Sequence, residues 1–215
     1  MSIKHGVLPA IATTAGRPTN LDPTLCAAIL PLEPIPGINH TYCADSNIHF
    51  SVRILQPGRD IPVIYRWMSM EYADSLVARN SPPDRLDESY TCMLESDFTQ
   101  PYMGLVNDIP VCELDICKAR MSLTGIYYPA QKGDYSVNLL LAPLVSQDHA
   151  LALMHIWMKY FFSFPEVDRI VTDIEKGSEW LHTLFSRAGF SFLQEIQLPY
   201  KEADLYACTR DSFPY

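Results

Sequence analysis

The first regular pattern along the chain is an alternation of apolar and polar residues in IHFSVRILQP, residues 48–57. A two-residue period that starts at Phe50 predicts a strand with one buried face. The next segment, IPVIYRWMSMEYADSLVA at 61–78, predicts a helix that starts at Asp60. Pro62 then falls in the first helical turn, where the N–H that proline lacks would have no acceptor. The folded part of the chain is therefore expected to open with a strand and a helix.

Strands and helices alternate along the rest of the chain. Asn107-Asp108 separates two strand-like segments and is suited to a tight hairpin turn. Residues 119–134 are expected to form a longer loop. The remaining predicted elements, in chain order, are a helix at 84–96 capped by Asp84, strands at 101–108, 109–119 and 135–142, a helix at 146–165 capped by Ser146, a strand at 167–174, a helix at 177–189 capped by Ser178 and ended by Gly189, and strands at 190–199 and 202–210. The order β-α-α-β-β-β-α-β-α-β-β predicts a mixed α/β domain rather than a sandwich or a helix bundle.

The predicted strand at 135–142 carries a polar amide, because Asn138 lies between Val137 and a run of three leucines. The apolar run predicts that the strand is buried on at least one face. A buried amide without hydrogen-bond partners costs roughly 1–3 kcal/mol. Asn138 is therefore expected to be buried and hydrogen-bonded.

Proline is concentrated near the start of the chain, with six of the 17 prolines in the first 36 residues. Each proline removes a backbone donor and disfavours helix in the residue before it. Residues 1–46 are therefore expected to form an extended N-terminal arm, and residues 47–215 the folded domain.

Composition narrows the class of protein. With 48% hydrophobic residues the chain can build a sizeable core, and a net charge of -9 argues against a nucleic-acid binder. The sequence contains no run of 18 apolar residues, so it predicts no membrane span, and the first 20 residues make a poor signal peptide. The six cysteines form no CxxC or Cys/His pattern, so they are expected to be reduced thiols rather than metal ligands. A cytoplasmic location is expected.

Six segments in collinear order resemble one known family: RWMS (66–69), PVCELDI (110–116), YYPAQKGDYSVNLLL (127–141), VDRIVTDIE (167–175), LFSRAGFSFLQEI (184–196) and YKEADLYAC (200–208). The set is similar to the GNAT N-acyltransferases, and most of all to the branch that acts in hydroxamate-siderophore biosynthesis. The resemblance implies an α/β fold with a mixed, mostly antiparallel, splayed sheet flanked by helices.

The resemblance also implies acetyl-CoA or another acyl-CoA as co-substrate. In the family the pantetheine pairs with the strand that matches 135–142, so the amides of Leu139, Leu140 and Leu141 would polarise the thioester carbonyl. The pyrophosphate would rest on amides at the start of the next helix. These are the amides of Val145, Ser146, Gln147, Asp148 and His149. The junction APLVSQDHAL lacks the Gly and Arg common in the family, Asp148 is unfavourable for a phosphate, and Ser146 has the alternative role of a plain helix cap.

The residues matched to the reacting centre differ from the pattern of the branch. The branch commonly has Gly, an apolar residue and a basic His where this chain has Ser136, Val137 and Asn138. Asn cannot accept a proton at neutral pH, but it can orient the acceptor. The resemblance implies that Glu175 accepts the proton and that Tyr206 acts as a general acid.

Other matched residues imply how the acceptor is held. Asp115 matches a position that is usually acidic and would hold its cationic end; the alternative is an exposed strand carboxylate. Arg66 and Trp67 match substrate-binding positions, and Trp67 suits the core as well as a pocket wall. His155 and His182 fit structural positions on helices better than functional ones.

The sequence thus predicts acylation of the N-hydroxylated side-chain amine of lysine, ornithine or a diamine, acetyl being the expected acyl group. Expected partners are the small-molecule acceptor, acyl-CoA and other enzymes of siderophore assembly. Two alternatives stay open. One is a catalytically impaired GNAT-like binding or scaffold protein, and the other is an amine or peptide N-acetyltransferase unrelated to iron.

Overall fold

The computed structural model describes residues 48–69 and 83–213. The elements found there are β1 (Phe50–Ile54), α1 (Pro57–Met68), α2 (Pro83–Leu94), β2 (Thr99–Val106), β3 (Ile109–Lys118), β4 (Asp134–Leu141), α3 (Gln147–Phe162), β5 (Arg169–Glu175), α4 (Glu179–Arg187), β6 (Ser191–Gln197) and β7 (Glu202–Thr209). The predicted order of strands and helices is confirmed. Three predictions lie outside the described residues: the arm at 1–46, the end of the first predicted helix at 70–78, and the side chain of Asp84.

The start of α1 differs from the prediction, because the helix begins at Pro57 and not at Asp60. Pro57 takes the first helical position, which proline favours. Asp60 is fully buried within the first turn of the helix. It accepts two 2.6 Å hydrogen bonds from Arg53 and one of 2.8 Å from the amide of Gln56, so a buried ion pair ties β1 to the first turn of α1.

The Asn107-Asp108 hairpin is confirmed. Both residues have positive φ angles, 49° and 63°, as a turn between two antiparallel strands requires. The side chain of Asn107 also accepts a 2.8 Å hydrogen bond from the amide of His49, which fastens the turn to β1.

The seven strands lie in the order β1-β2-β3-β4-β5-β7-β6. All neighbours are antiparallel except β4 and β5, which run parallel. This parallel pairing covers only Asp134–Ser136 against Arg169–Val171, although β4 continues to Leu141 and β5 to Glu175. The two strands therefore diverge past Ser136 and Val171, and we call the space between them the β4–β5 gap. The predicted splayed, mostly antiparallel sheet is confirmed.

Helices cover both faces of the sheet. On one face α3 and α4 bury Tyr102, Leu114 and Val137 against residues such as Trp157 and Leu184. On the other face α1 and α2 bury Met103, Leu105 and Leu140. We call these the α3/α4 face and the α1/α2 face. Since side chains alternate along a strand, Ser136 and Asn138 share the α1/α2 face with Leu140.

Within residues 48–69 and 83–213, no helix is long and apolar enough to cross a membrane. The four cysteines there are free thiols, with Cys92 exposed and Cys112, Cys117 and Cys208 buried. Burial raises the pKa of Cys117 and of Cys208 to about 11. The same part of the chain holds no cluster of three His, Cys, Asp or Glu side chains that could bind a metal ion.

Candidate active site

The β4–β5 gap exposes one edge of β4. The amide of Ala142 donates a 2.8 Å hydrogen bond to the carbonyl of Val111 in the line of β3. Main-chain groups of an antiparallel strand alternate between its two neighbours, so Leu140 also pairs with β3 and Leu139 turns toward the gap. The prediction that three consecutive amides serve the same carbonyl is therefore wrong, because Leu140 points the other way. The main-chain groups of Leu139 and Leu141 point toward the β4–β5 gap, as an interaction with the thioester carbonyl requires.

At the junction between β4 and α3, two of the five amides that were predicted to bind the pyrophosphate have partners within the chain. Ser146 is the N-cap of α3, and its hydroxyl accepts the amide of His149 at 3.2 Å, which confirms the helix-cap alternative. Val145 donates its own amide to a carbonyl three residues earlier. The amides of Val145 and His149 are thus occupied. Gln147 and Asp148 form the first turn, whose N–H groups have no acceptor inside the helix.

Arg187 neutralises the acidic residue at this junction. Its guanidinium, on the last turn of α4, lies 3.0 Å from the carboxylate of Asp148 and 3.3 Å from the side-chain oxygen of Gln147. Gln147 in turn donates to the carbonyl of Trp180 at 3.2 Å. A cation from another helix therefore stands where the junction sequence itself carries none, and local sequence patterns do not reveal it.

Asn138 and Asp115 form a hydrogen-bonded pair across β4 and β3. The Asn138 amide donates to Oδ1 of Asp115 at 3.0 Å, and the two residues are direct cross-strand neighbours. Asn138 is exposed, so the expectation of a buried amide is wrong, whereas the expected hydrogen-bond partner is present. Burial raises the pKa of Asp115 to about 6, opposed by the hydrogen bond from Asn138 and assisted by the charge of Asp173.

Two further acidic residues surround this pair. Glu113, two positions before Asp115, is buried, and its charge is among the causes that raise the pKa of Tyr90 on α2. Burial and then the charge of Asp115 raise the pKa of Glu113 well above its ordinary value. Asp173 of β5 accepts a 2.6 Å hydrogen bond from Thr124 and lies 2.7 Å from the ammonium of Lys201. The α1/α2 side of the gap is therefore rich in carboxyl groups.

The predicted acid and base lie on different faces of the sheet. Glu175 lies two and four residues after Asp173 and Val171 on β5, so all three side chains point to the same face of the sheet. Because Val171 pairs with Ser136, this is the face of Asn138, and Glu175 lies past the last β4–β5 pair. Tyr206 packs against the core of the α3/α4 face. There its hydroxyl is 3.1 Å from Nδ1 of His182, a contact that fits the structural position expected for His182. The structure does not bring Tyr206 together with Asn138 and Glu175, and its role as an acid stays a prediction.

The two predicted substrate-binding residues on α1 also point in different directions. Trp67 is buried beside Ile64, Tyr90, Met103 and Leu140 in the core of the α1/α2 face, which agrees with the alternative that it is a core residue. Arg66 is exposed on the last turn of α1. Glu113, Tyr90 and Arg187, which sequence analysis missed, belong to the site. Only the apolar-polar alternation of β3 could have drawn attention to Glu113.

Comparisons with known proteins agree with this geometry. A family described as "Acetyltransferase (GNAT) domain" matches residues 56–198. An N-hydroxyputrescine acetyltransferase of Acinetobacter baumannii is 23% identical over 171 residues, which cover 79% of this chain and 82% of that protein. A lysine N-acyltransferase, MbtK, of a Mycobacterium species is 23% identical over 164 residues, or 75% of this chain and 67% of that protein.

A solved structure supports the fold independently. The aminoglycoside acetyltransferase AAC(6')-Ib, solved in complex with coenzyme A, superposes with a TM-score of 0.68 at 20% identity, covering 76% of this chain and 96% of that chain. The family match spans well over half of the chain and includes β2 to β6, the β4–β5 gap and the start of α3. The chain therefore belongs to the acetyltransferase (GNAT) domain family and is an N-acyltransferase with acyl-CoA as its co-substrate.

Proposed function

We propose that the enzyme transfers an acyl group, acetyl being the expected one, to the N-hydroxylated side-chain amine of lysine, ornithine or a diamine, in hydroxamate-siderophore assembly. The observation that carries this proposal is the Asn138–Asp115 pair beside the gap. The names of two distant relatives, one acting on N-hydroxyputrescine and one on lysine, support the choice of acceptor.

The chemistry of the acceptor fits a site that lacks a histidine at position 138. An alkyl amine with a pKa near 10.4 is almost wholly protonated at pH 7 and must lose a proton before it can attack. A hydroxylamine nitrogen is far less basic and is already neutral. Attack on a thioester then requires positioning, carbonyl polarisation and removal of one proton late in the reaction. An amide at position 138 is sufficient for the positioning.

The charges of the site favour an acceptor with a second, cationic end. Glu113, Asp115 and Glu175 lie on the α1/α2 face, where Lys201 is already paired with Asp173. A monohydroxylated diamine keeps an ammonium group at its other end, and N-hydroxylysine or N-hydroxyornithine keeps its α-ammonium group, which carboxylates on this face attract. In this proposal the amide of Leu139 polarises the thioester carbonyl, while the first-turn amides of α3 hold the pyrophosphate. The roles of Glu175 as proton acceptor and Tyr206 as acid remain sequence-based predictions.

The proposal is tested by assaying acetyl-CoA with N-hydroxyputrescine, N-hydroxycadaverine, N-hydroxylysine and N-hydroxyornithine, each beside its parent amine. At pH 7 we expect kcat/KM for a hydroxylated acceptor to exceed that of its parent by at least roughly 100-fold, because only about one parent amine in a thousand is neutral. The hydroxamate product is measured by its iron(III) complex and by mass. Reaction of the parent amines alone would show an amine acetyltransferase unrelated to iron.

Replacing Arg187 with Gln tests the anion site at the start of α3. The change leaves Asp148 without its cation, and an uncompensated carboxylate opposes a nearby pyrophosphate. We expect the KM for acetyl-CoA to rise about fivefold, the effect of about 1 kcal/mol at an exposed site, with kcat little changed. Arg59→Gln, an exposed arginine on α1, is the matched control. Equal KM values for the two variants would place the pyrophosphate elsewhere.

A further inference from the structure

We propose that Asp115 is the catalytic residue that accepts the proton from the acceptor nitrogen and that Asn138 is the residue that positions it. This inference rests on the proposed function and assigns to Asp115 the role that the sequence pattern gave to Glu175. It also changes the role of Asp115 itself, which the sequence suggested as a binding residue for the cationic end of the acceptor.

The geometry of the pair suits a fixed base. Asp115 lies on β3, which is paired along its length with β2 on one side and β4 on the other. A base on a central strand is held more rigidly than one on a loop. Asn138 engages Oδ1 at 3.0 Å, which leaves Oδ2 to take up a proton. Asp115 is half-buried, so it keeps access to the space in front of the α1/α2 face.

Glu175 lacks an equivalent support. In the described part of the chain, its side chain forms no hydrogen bond or ion pair, and it ends β5 at the wide end of the gap. Asp115, by contrast, faces Asn138 across the strand pair that borders the gap. The pKa of about 6 for Asp115 agrees with a base that is ionised, yet still able to hold a proton, at neutral pH.

The groups that face Asp115 set its titration. The hydrogen bond from Asn138 favours the carboxylate, whereas burial and the charge of Asp173 favour the acid. Lys201 neutralises part of the effect of Asp173. The titratable groups whose own pKa depends on the charge of Asp115 are Glu113 of β3, Tyr90 of α2 and Cys117 of β3.

The proton balance of the step is simple. The acceptor nitrogen forms a bond to the thioester carbon, the C–S bond breaks, and coenzyme A leaves as a thiolate. The proton on nitrogen passes to Oδ2 of Asp115, and Asp115 then returns it to solvent. The thiolate takes one proton from solvent, so neither an oxidant nor a reductant is required.

The test compares Asp115→Asn with Glu175→Gln, using acetyl-CoA and the best of the hydroxylated acceptors. We expect D115N to lower kcat at least about 100-fold, as removal of a general base does, with a smaller change in the acceptor KM. Wild-type kcat/KM is expected to rise with pH through about 6. D115N should lose this rise, and E175Q should keep it with a smaller loss of kcat. Asp211→Asn, exposed near the end of the described chain, is the control.

Folding is checked separately, because D115N removes a carboxylate whose pKa is raised in the folded protein. Such a group costs stability once it ionises, so the thermal midpoint of D115N at pH 7.5 is expected to equal or exceed that of the wild type. Wild-type kcat in D115N, or loss of the pH-dependent rise in E175Q alone, overturns the inference and leaves the proposed function standing. Failure of the wild type to acylate any hydroxylated acceptor overturns both.

Discussion

Replacing Asp134 with Asn is expected to lower the free energy of unfolding by about 3 kcal/mol, since it breaks a buried ion pair on one side only. Asp134 is 2% exposed and starts β4 at the narrow end of the gap. It accepts two hydrogen bonds from Arg169, one of 2.8 Å from the amide of Gln131 and one of 3.1 Å from the Tyr128 hydroxyl. Asn keeps the shape but leaves the Arg169 guanidinium without its counter-charge.

Urea unfolding at pH 7 measures the effect. The matched control is Glu195→Gln, which removes the nearer carboxylate partner of Lys176 from an ion pair of similar length, 2.8 Å, whose carboxylate is 67% exposed. Such exposed pairs contribute roughly 0–1 kcal/mol. If D134N and E195Q lose the same free energy, the Asp134–Arg169 pair does not hold β4 and β5 together.

The pH dependence of the same variant has a definite sign. Burial alone would raise the pKa of Asp134, but the hydrogen bonds from Arg169, Gln131 and Tyr128 outweigh it and lower the pKa below 3.8. The carboxylate therefore stabilises the fold above its unfolded-state pKa of about 3.9, and this contribution is lost as the pH falls through the folded value. The difference in unfolding free energy between wild type and D134N should be constant from about pH 5 to pH 8 and should shrink in more acidic solution.

The second large effect is expected in activity. Replacing Asn138 with Leu removes the donor to Asp115 while keeping a side chain of similar shape on an exposed strand position. We expect kcat to fall about 10- to 100-fold because the base loses its fixed orientation. The Asn138 hydrogen bond also lowers the pKa of Asp115, so the acid limb of the kcat/KM profile should move to higher pH in N138L.

Asn138→His provides the contrast. An imidazole N–H can donate to Asp115 in place of the amide, and His is common at this position in the branch that the sequence resembles. N138H should therefore retain more activity than N138L. An unchanged rate and an unshifted pH profile in N138L would mean that the Asn138–Asp115 hydrogen bond takes no part in the reaction.

Much of the fold could be predicted from the chain because strand and helix periods are local properties. The hairpin at Asn107-Asp108 and the end of α4 at Gly189, with its φ of 93°, follow from residues that tolerate positive φ. The predicted start of α1 was wrong because Asp60 lies inside the helix, where its buried carboxylate is paired with Arg53, a residue on another element. A local pattern does not contain that contact.

The site was less predictable, since its contacts join residues far apart in the chain. Asn138 and Asp115 could each be singled out, but their hydrogen bond depends on the register of β3 against β4. Arg187 reaches Asp148 only because α4 packs beside α3. Glu113 appears as one polar residue in a strand pattern, and only the structure shows that it is buried against α2.

The short β4–β5 pairing also determines how the sheet deforms. Every other strand pair is joined over at least five residue positions, and this one over three. Strands β1–β4 and strands β5–β7 are thus two groups that are joined only near Asp134 and Arg169. A change in the angle between these groups disturbs few of the hydrogen bonds that pair the strands. The angle between these two groups of strands sets the width of the β4–β5 gap, because their only shared pairing lies at its narrow end.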